Sequence, residues 1–183
     1  MRKLVIIVML GLVSFLVLGS ARPTFYPDDT ILIIKMIEIK ISGKSTIGDY
    51  NCDNSLLKKD TIFLNLNKRN NIVAEIPMLR FDCRHRIMTK DFQTTVKVKK
   101  YPTSSVTIYD IRTYGKNYKC NLSFLITDKT FKYKDIILNT SGNKIEGIIN
   151  LSFSEIGLEP PVRMAGLVKV KDEIQIDFFL YKN

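Results

Sequence analysis

This chain of 183 residues has one histidine, His85, and three cysteines, Cys52, Cys83 and Cys120. It contains no Gly-x-Ser-x-Gly, no phosphate-cradling Gly-rich loop and no His-Glu-x-x-His. A nucleophilic triad would hang entirely on His85, which sits between Arg84 and Arg86 with no acidic partner evident in the sequence; it reads as a solvated surface residue. The cysteine spacing matches no zinc pattern, and one histidine cannot complete a site, so no metal and no cofactor are expected. There is no internal repeat, low-complexity tract or linker. These absences weigh against catalysis and leave a binding or structural role. A hydrolase-like enzyme, which a cluster of polar residues inside the fold would support, is the weakest alternative.

Long apolar runs are also scarce, with one exception at the start. Arg2 and Lys3 precede an apolar stretch from Leu4 to Leu18, followed by Gly19, Ser20 and Ala21. A basic start, a short apolar core and small residues are the pattern of a secretory signal peptide, here over 1–21. The run is shorter than the ~20 residues a spanning helix needs. Export to a periplasmic or extracellular space is the expectation, with residues 22–183 as one domain. In an oxidising compartment two of the three cysteines are expected to bridge. Three pairings are open on spacing alone. Cys120 shares parity with Tyr118 and Leu122, which suits a buried, inert thiol.

Past residue 30 the dominant period is two, the mark of half-buried strands. Ile37, Ile39 and Ile41 alternate with Met36, Glu38 and Lys40; Ile72, Ala74 and Ile76 share a face. Lys58 to Lys68 is a further strand candidate, with Ile62, Leu64 and Leu66 in phase. Val106 and Ile108, then Tyr118 to Ile126, then Phe131 and Tyr133 repeat the pattern. So do Ile149, Leu151 and Phe153, and finally Ile174, Ile176, Phe178 and Leu180. Thr127-Asp128 and Ser141-Gly142-Asn143 read as tight turns. Many short strands at regular spacing specify a sandwich or an up-and-down barrel, and periodicity does not choose between them.

One stretch breaks the rhythm. Phe81 to Pro102 reads FDCRHRIMTKDFQTTVKVKKYP. Ile87, Met88 and Phe92 fall at i, i+1 and i+5, so a short helix is expected to bury all three. Pro102 then holds Tyr101 extended before the strand at Val106. Near the N-terminus, Gly43-Lys44-Ser45 leads through Gly48-Asp49-Tyr50 into a second strand. Near the C-terminus, Leu158-Glu159-Pro160-Pro161 precedes Gly166 and Val170, then Asp172-Glu173 before the last strand. Taken in this order, these segments resemble the YceI-like family from about Ile37 to the C-terminus.

The resemblance implies an exported, lipocalin-like antiparallel β-barrel of about eight strands, with one short helix near its mouth and an apolar tunnel that holds a polyisoprenoid chain. Tyr50-Asn51-Cys52 and Phe81-Asp82-Cys83 both read as aromatic-x-Cys at a strand end, and the resemblance favours a Cys52–Cys83 bridge. It also makes the inward-facing set candidate ligand contacts: Val106, Ile108, Leu122, Phe124, Ile149, Leu151, Phe153, Ile174, Ile176 and Phe178. Met88 and Phe92 on the helix join them as parts of a lid. The same residues would be apolar in a solid barrel, so a filled barrel serving as a protein-interaction or stress-associated module is the alternative. Where the family often carries polar residues toward the mouth, only Asp91 and His85 match.

The formal net charge is +10, and +8 beyond Ala21. Basic clusters stand at Lys58-Lys59, Lys68-Arg69, Arg84 to Arg86 and Lys97 to Lys100. Nucleic acid is not the expected partner, because the chain reads as exported and lacks an aromatic-interleaved binding motif. An anionic membrane surface suits the charge better. The function expected is an exported barrel that sequesters an apolar isoprenoid or quinone-like chain for transport or storage.

Overall fold

Alternating side chains need two faces, one wet and one dry, and the chain supplies them by wrapping its strands around one interior. The computed structural model describes residues 31–64 and 70–183. The leader over 1–21 lies outside the described residues, as do Leu66, Lys68 and Arg69. The strands are β1 (Ile31–Ser45), β2 (Gly48–Phe63), β3 (Asn71–Pro77), β4 (Thr103–Tyr114) and β5 (Asn117–Ile126). They continue with β6 (Lys129–Ser141), β7 (Lys144–Ser152), β8 (Val162–Arg163) and β9 (Val168–Lys182). Eight form one antiparallel path, β2-β1-β9-β7-β6-β5-β4-β3, and β8 pairs only with β9. This is the expected all-β, eight-stranded, nearly closed lipocalin-like barrel. Its helices are α1 (Arg86–Thr95) and the single turn α2 (Phe153–Ile156).

Parity predicts the core. Ile37, Ile39, Ile41, Ile72, Ala74, Ile76, Cys120, Leu122, Phe124, Ile126, Ile149, Leu151, Ile174, Phe178 and Leu180 are all buried. The turns also fall where expected, at Thr127-Asp128 and at Gly142, whose φ of +59° suits glycine.

Four local readings change. Lys58–Lys68 is not a separate strand: β2 continues to Phe63 because its ladder with β1 runs on to Ile31, with a register shift between Ile34 and Met36. Cys52 accordingly lies within β2 opposite Ile41, not at a strand end. Phe153 leaves the strand pattern for α2. Ser152 accepts from the Glu155 amide while the Glu155 carboxylate accepts from the Ser152 amide, a capping box that stops β7. Ile87 is 60% exposed. Met88, Phe92 and Val96 are spaced by four and take the barrel-facing stripe, which turns Ile87 outward by the 100° between neighbours.

The barrel closes imperfectly at two places. Between β6 and β7 only Asn139–Ser141 pairs with Lys144–Glu146. Where they diverge, Phe153, Ile156 and Leu158 are buried beside β7. Between β2 and β3 there is no ladder. One bridge joins Asp53 to Asp82, each amide donating to the other's carbonyl at 3.0 Å. The Asn54 amide donates to the Pro77 carbonyl at 3.0 Å, and the Lys58 ammonium donates to the Val73 carbonyl. The Cys52–Cys83 disulfide lies beside the bridge. This seam is held by one backbone bridge, side-chain hydrogen bonds and one covalent bond.

Candidate functional site

The barrel interior narrows to an apolar void of about 50 Å³ at the end of the barrel that carries α1. One wall comes from β1, β7 and β9, through Ile39, Ile41, Ile149, Ile176 and Phe178. Register sets these at matching heights, with Ile41 and Ile149 both opposite Ile176, and Ile39 opposite Phe178. The facing wall comes from β3, β4 and β5, through Ile76, Ser104, Val106, Leu122, Phe124 and Ile126. Met78 and Phe81, from the turn after β3, complete the lining. Ser104 is the sole hydroxyl in the lining, and it donates to the Leu125 carbonyl, which leaves no free donor inside.

Aromatic rings set the shape of this space. Phe124 stacks on Phe131 at 5.1 Å and on Tyr133 at 6.0 Å, which fixes its plane along one wall. The outer edge of the Phe178 ring packs against Gly147, its partner across the β7–β9 ladder; a Cβ there would come within 2.1 Å of Cζ. Glycine is therefore what lets Phe178 hug the wall instead of crossing the bore. Tyr50 covers Gly43 in the same manner. Among the described residues the buried Tyr50 hydroxyl has no hydrogen-bond partner, and burial pushes its pKa up to about 12.

Of the residues picked from sequence, Val106, Leu122, Phe124, Ile149, Ile176 and Phe178 surround the void. Ile108, Leu151, Phe153 and Ile174 are buried in the same core but do not line it. Met88 and Phe92 are half-buried on the inner stripe of α1. The Phe92 ring is 4.9 Å from Phe81, so α1 sits one layer behind the lining. Ile39, Ile41, Ile76 and Ile126 carried the right parity but were not singled out, and Met78 and Phe81 had no periodic signal. Alternation reports which side a residue faces; height in the barrel depends on register.

Cys120, fully buried in β5, is the free thiol; burial pushes its pKa up to about 12, so it stays protonated and unreactive. Arg163 donates through Nε to Asp91 Oδ2 at 3.0 Å, tying the β8–β9 hairpin to α1. No group of three metal-binding side chains gathers among the described residues.

No family model and no curated protein matches the sequence. Solved structures match on shape. A polyisoprenoid binding domain from Saccharophagus degradans, implicated in plant cell wall breakdown, superposes with a TM-score of 0.55 at 11% identity, over 84% of this chain and 98% of that one. Burkholderia cenocepacia BcnA superposes at 0.51 and 16% identity, over 78% of this chain and 94% of that one. A Campylobacter jejuni YCEI protein aligns at 0.47 and 12% identity, over 63% of this chain and 74% of that one. At such identities the likeness concerns architecture alone: this chain shares the fold of the Saccharophagus domain and of BcnA, a lipocalin-like antiparallel barrel as the sequence resemblance implied.

Proposed function

We infer that the protein binds an apolar, chain-like lipid of the isoprenoid or quinone class inside the barrel and shields it from water for transport or storage. The observation that carries this reading is the apolar void ringed by Phe81, Phe124 and Phe178, with its one hydroxyl already engaged, in a barrel that shares its fold with a polyisoprenoid binding domain. The Cys52–Cys83 bridge is consistent with work outside the reducing cytoplasm.

Size is the physical question. Pockets for small ligands run to roughly 300–1,000 Å³. The void here is about 50 Å³, so a chain enters only if the aromatic rings swing or the seam parts. Energy favours that rearrangement. Each CH₂ moved out of water contributes about 0.8 kcal/mol, so a five-carbon isoprene unit contributes about 4 kcal/mol. Displacing packed side chains costs about 1–3 kcal/mol. Two or three buried units outweigh it.

The small void also favours a second reading, the filled barrel that serves as an interaction module. Native mass spectrometry of the protein, recovered with its disulfide intact and followed by organic extraction, separates the two. The carrier reading expects a stoichiometric adduct that extracts as an isoprenoid or quinone. A clean protein mass, with no uptake when polyprenols and quinones are offered, would establish the filled barrel.

A further inference from the structure

Outside the barrel wall, on the solvent side of the segment that carries Phe81, lies an open groove of about 660 Å³ lined by Asp82, Arg84, His85, Arg86, Thr89, Lys90 and Gln93. Three permanent cations and one acid line it. The acid is occupied: Asp82 Oδ1 accepts from the Arg84 amide at 2.8 Å and from the Thr89 hydroxyl at 3.4 Å. Arg84 also reaches Asp53 Oδ2 at 3.3 Å. Among the described residues no carboxylate lies within ion-pair distance of Arg86 or Lys90, and the side chains of His85 and Gln93 have no hydrogen-bond partner. Between Arg84 and Lys100 the chain holds six cations and one acid, Asp91, and Arg163 takes that acid.

The arrangement works against the helix that carries it. Arg86 and Lys90 are like charges one turn apart, a spacing that destabilises a helix. The first turn of α1 has no acid and no side-chain cap, and cations there oppose the helix dipole. The groove is nonetheless held in shape. Cys83 is bridged to Cys52, and the Cys83 amide donates to the Thr89 hydroxyl at 3.0 Å. Arg84 is kept at φ +58° between Asp82 and Asp53. A rigid groove with two unpaired cations, an imidazole and neutral donors on one face breaks local rules that a bound anion would satisfy.

We propose that this groove binds a phosphate-class oxyanion, with Arg86 as the forked donor and Lys90 as the point charge one helical turn away. A lipid head group and a soluble phosphate present the same chemistry. The site lies outside the barrel bore, so it does not depend on the carrier reading.

The test uses the protein with its disulfide intact and no added apolar ligand. It is titrated at low salt with sodium pyrophosphate, with phosphatidylcholine vesicles, and with the same vesicles containing phosphatidylglycerol. Backbone amide shifts of Arg86, Thr89 and Lys90 report the site. The double variant Arg86→Gln/Lys90→Gln is compared with Lys132→Gln/Lys134→Gln on β6, which removes the same charge elsewhere, and circular dichroism checks that both fold. Loss of two charge-assisted contacts is expected to weaken binding at least about tenfold in the first variant, against less than about twofold in the second. Shifts at these amides with pyrophosphate and none with vesicles identify a soluble ligand. Binding that requires phosphatidylglycerol, with shifts at the same amides, identifies a lipid head group. The proposal is overturned if neither probe moves these amides, or if the control variant weakens binding as much as the first.

Discussion

Removing the Cys52–Cys83 bridge should loosen the barrel along one line rather than everywhere. The cysteines are 31 residues apart. Chain-entropy bookkeeping for a loop of that length puts the stabilisation at about 3.7 kcal/mol at 25 °C. For a domain of this size each kcal/mol moves the midpoint by roughly 2–4 °C, so Cys52→Ala/Cys83→Ala should melt about 7–15 °C lower. The loss is concentrated because β2 and β3 share no ladder: besides the disulfide, the seam has the Asp53–Asp82 bridge, the Asn54 amide on the Pro77 carbonyl and Lys58 on the Val73 carbonyl. Urea unfolding measures the global term, and native-state hydrogen exchange the local one. The amides of Asp53 and Asp82, whose hydrogen bonds cross the seam, should lose protection well before that of Ile39, which lies in a strand paired on both sides. A stability change under about 1 kcal/mol, with Asp53 and Asp82 still protected, would refute the view that the disulfide is the principal tie across this gap.

Three further outcomes follow from the interior. Gly147→Ala drives a Cβ into the Phe178 ring, so it should cost about 1–3 kcal/mol by overpacking, measured by urea unfolding, and should abolish any uptake of an apolar chain by turning that ring into the bore. Tyr50→Phe removes a buried hydroxyl that has no partner among the described residues, so calorimetry should show stability unchanged or raised by about 1 kcal/mol. The same tyrosine keeps its proton to about pH 12 when folded but releases it near its ordinary value of 10.0 when unfolded. Stability is therefore insensitive to this group below pH 10 and falls between about 10 and 12, and the Phe variant should lack that part of the alkaline fall. Cys120 behaves alike from its ordinary 9.0 upward; iodoacetamide near neutral pH should label it only after denaturation, and rapid labelling of the native protein would refute its burial.

How much of this could be read beforehand varies by residue. Ile37, Ile39 and Ile41 declared their face by alternation, because a strand's side-chain period is two whatever surrounds it. The turns at Thr127-Asp128 and Gly142 were legible for a similarly local reason. The helix at Arg86–Thr95 was visible, but its inward stripe was set by the barrel: Val96 went in and Ile87 stayed out. The end of β7 was misread because Phe153 kept the alternating phase, while the Ser152–Glu155 capping box ended the strand.

The sequence by itself determined the two-residue period, the core parity, the turns and the presence of a short helix, since each depends on neighbours within a few residues. Only the tertiary structure decided which inward residues meet. Ile39, Phe178 and Gly147 stand at one height because β9 pairs with both β1 and β7 in a particular register, and no local pattern encodes that pairing. Tertiary structure likewise set the bore at about 50 Å³, because the space left inside is the small difference between the barrel's width and the volume of rings folded against its walls.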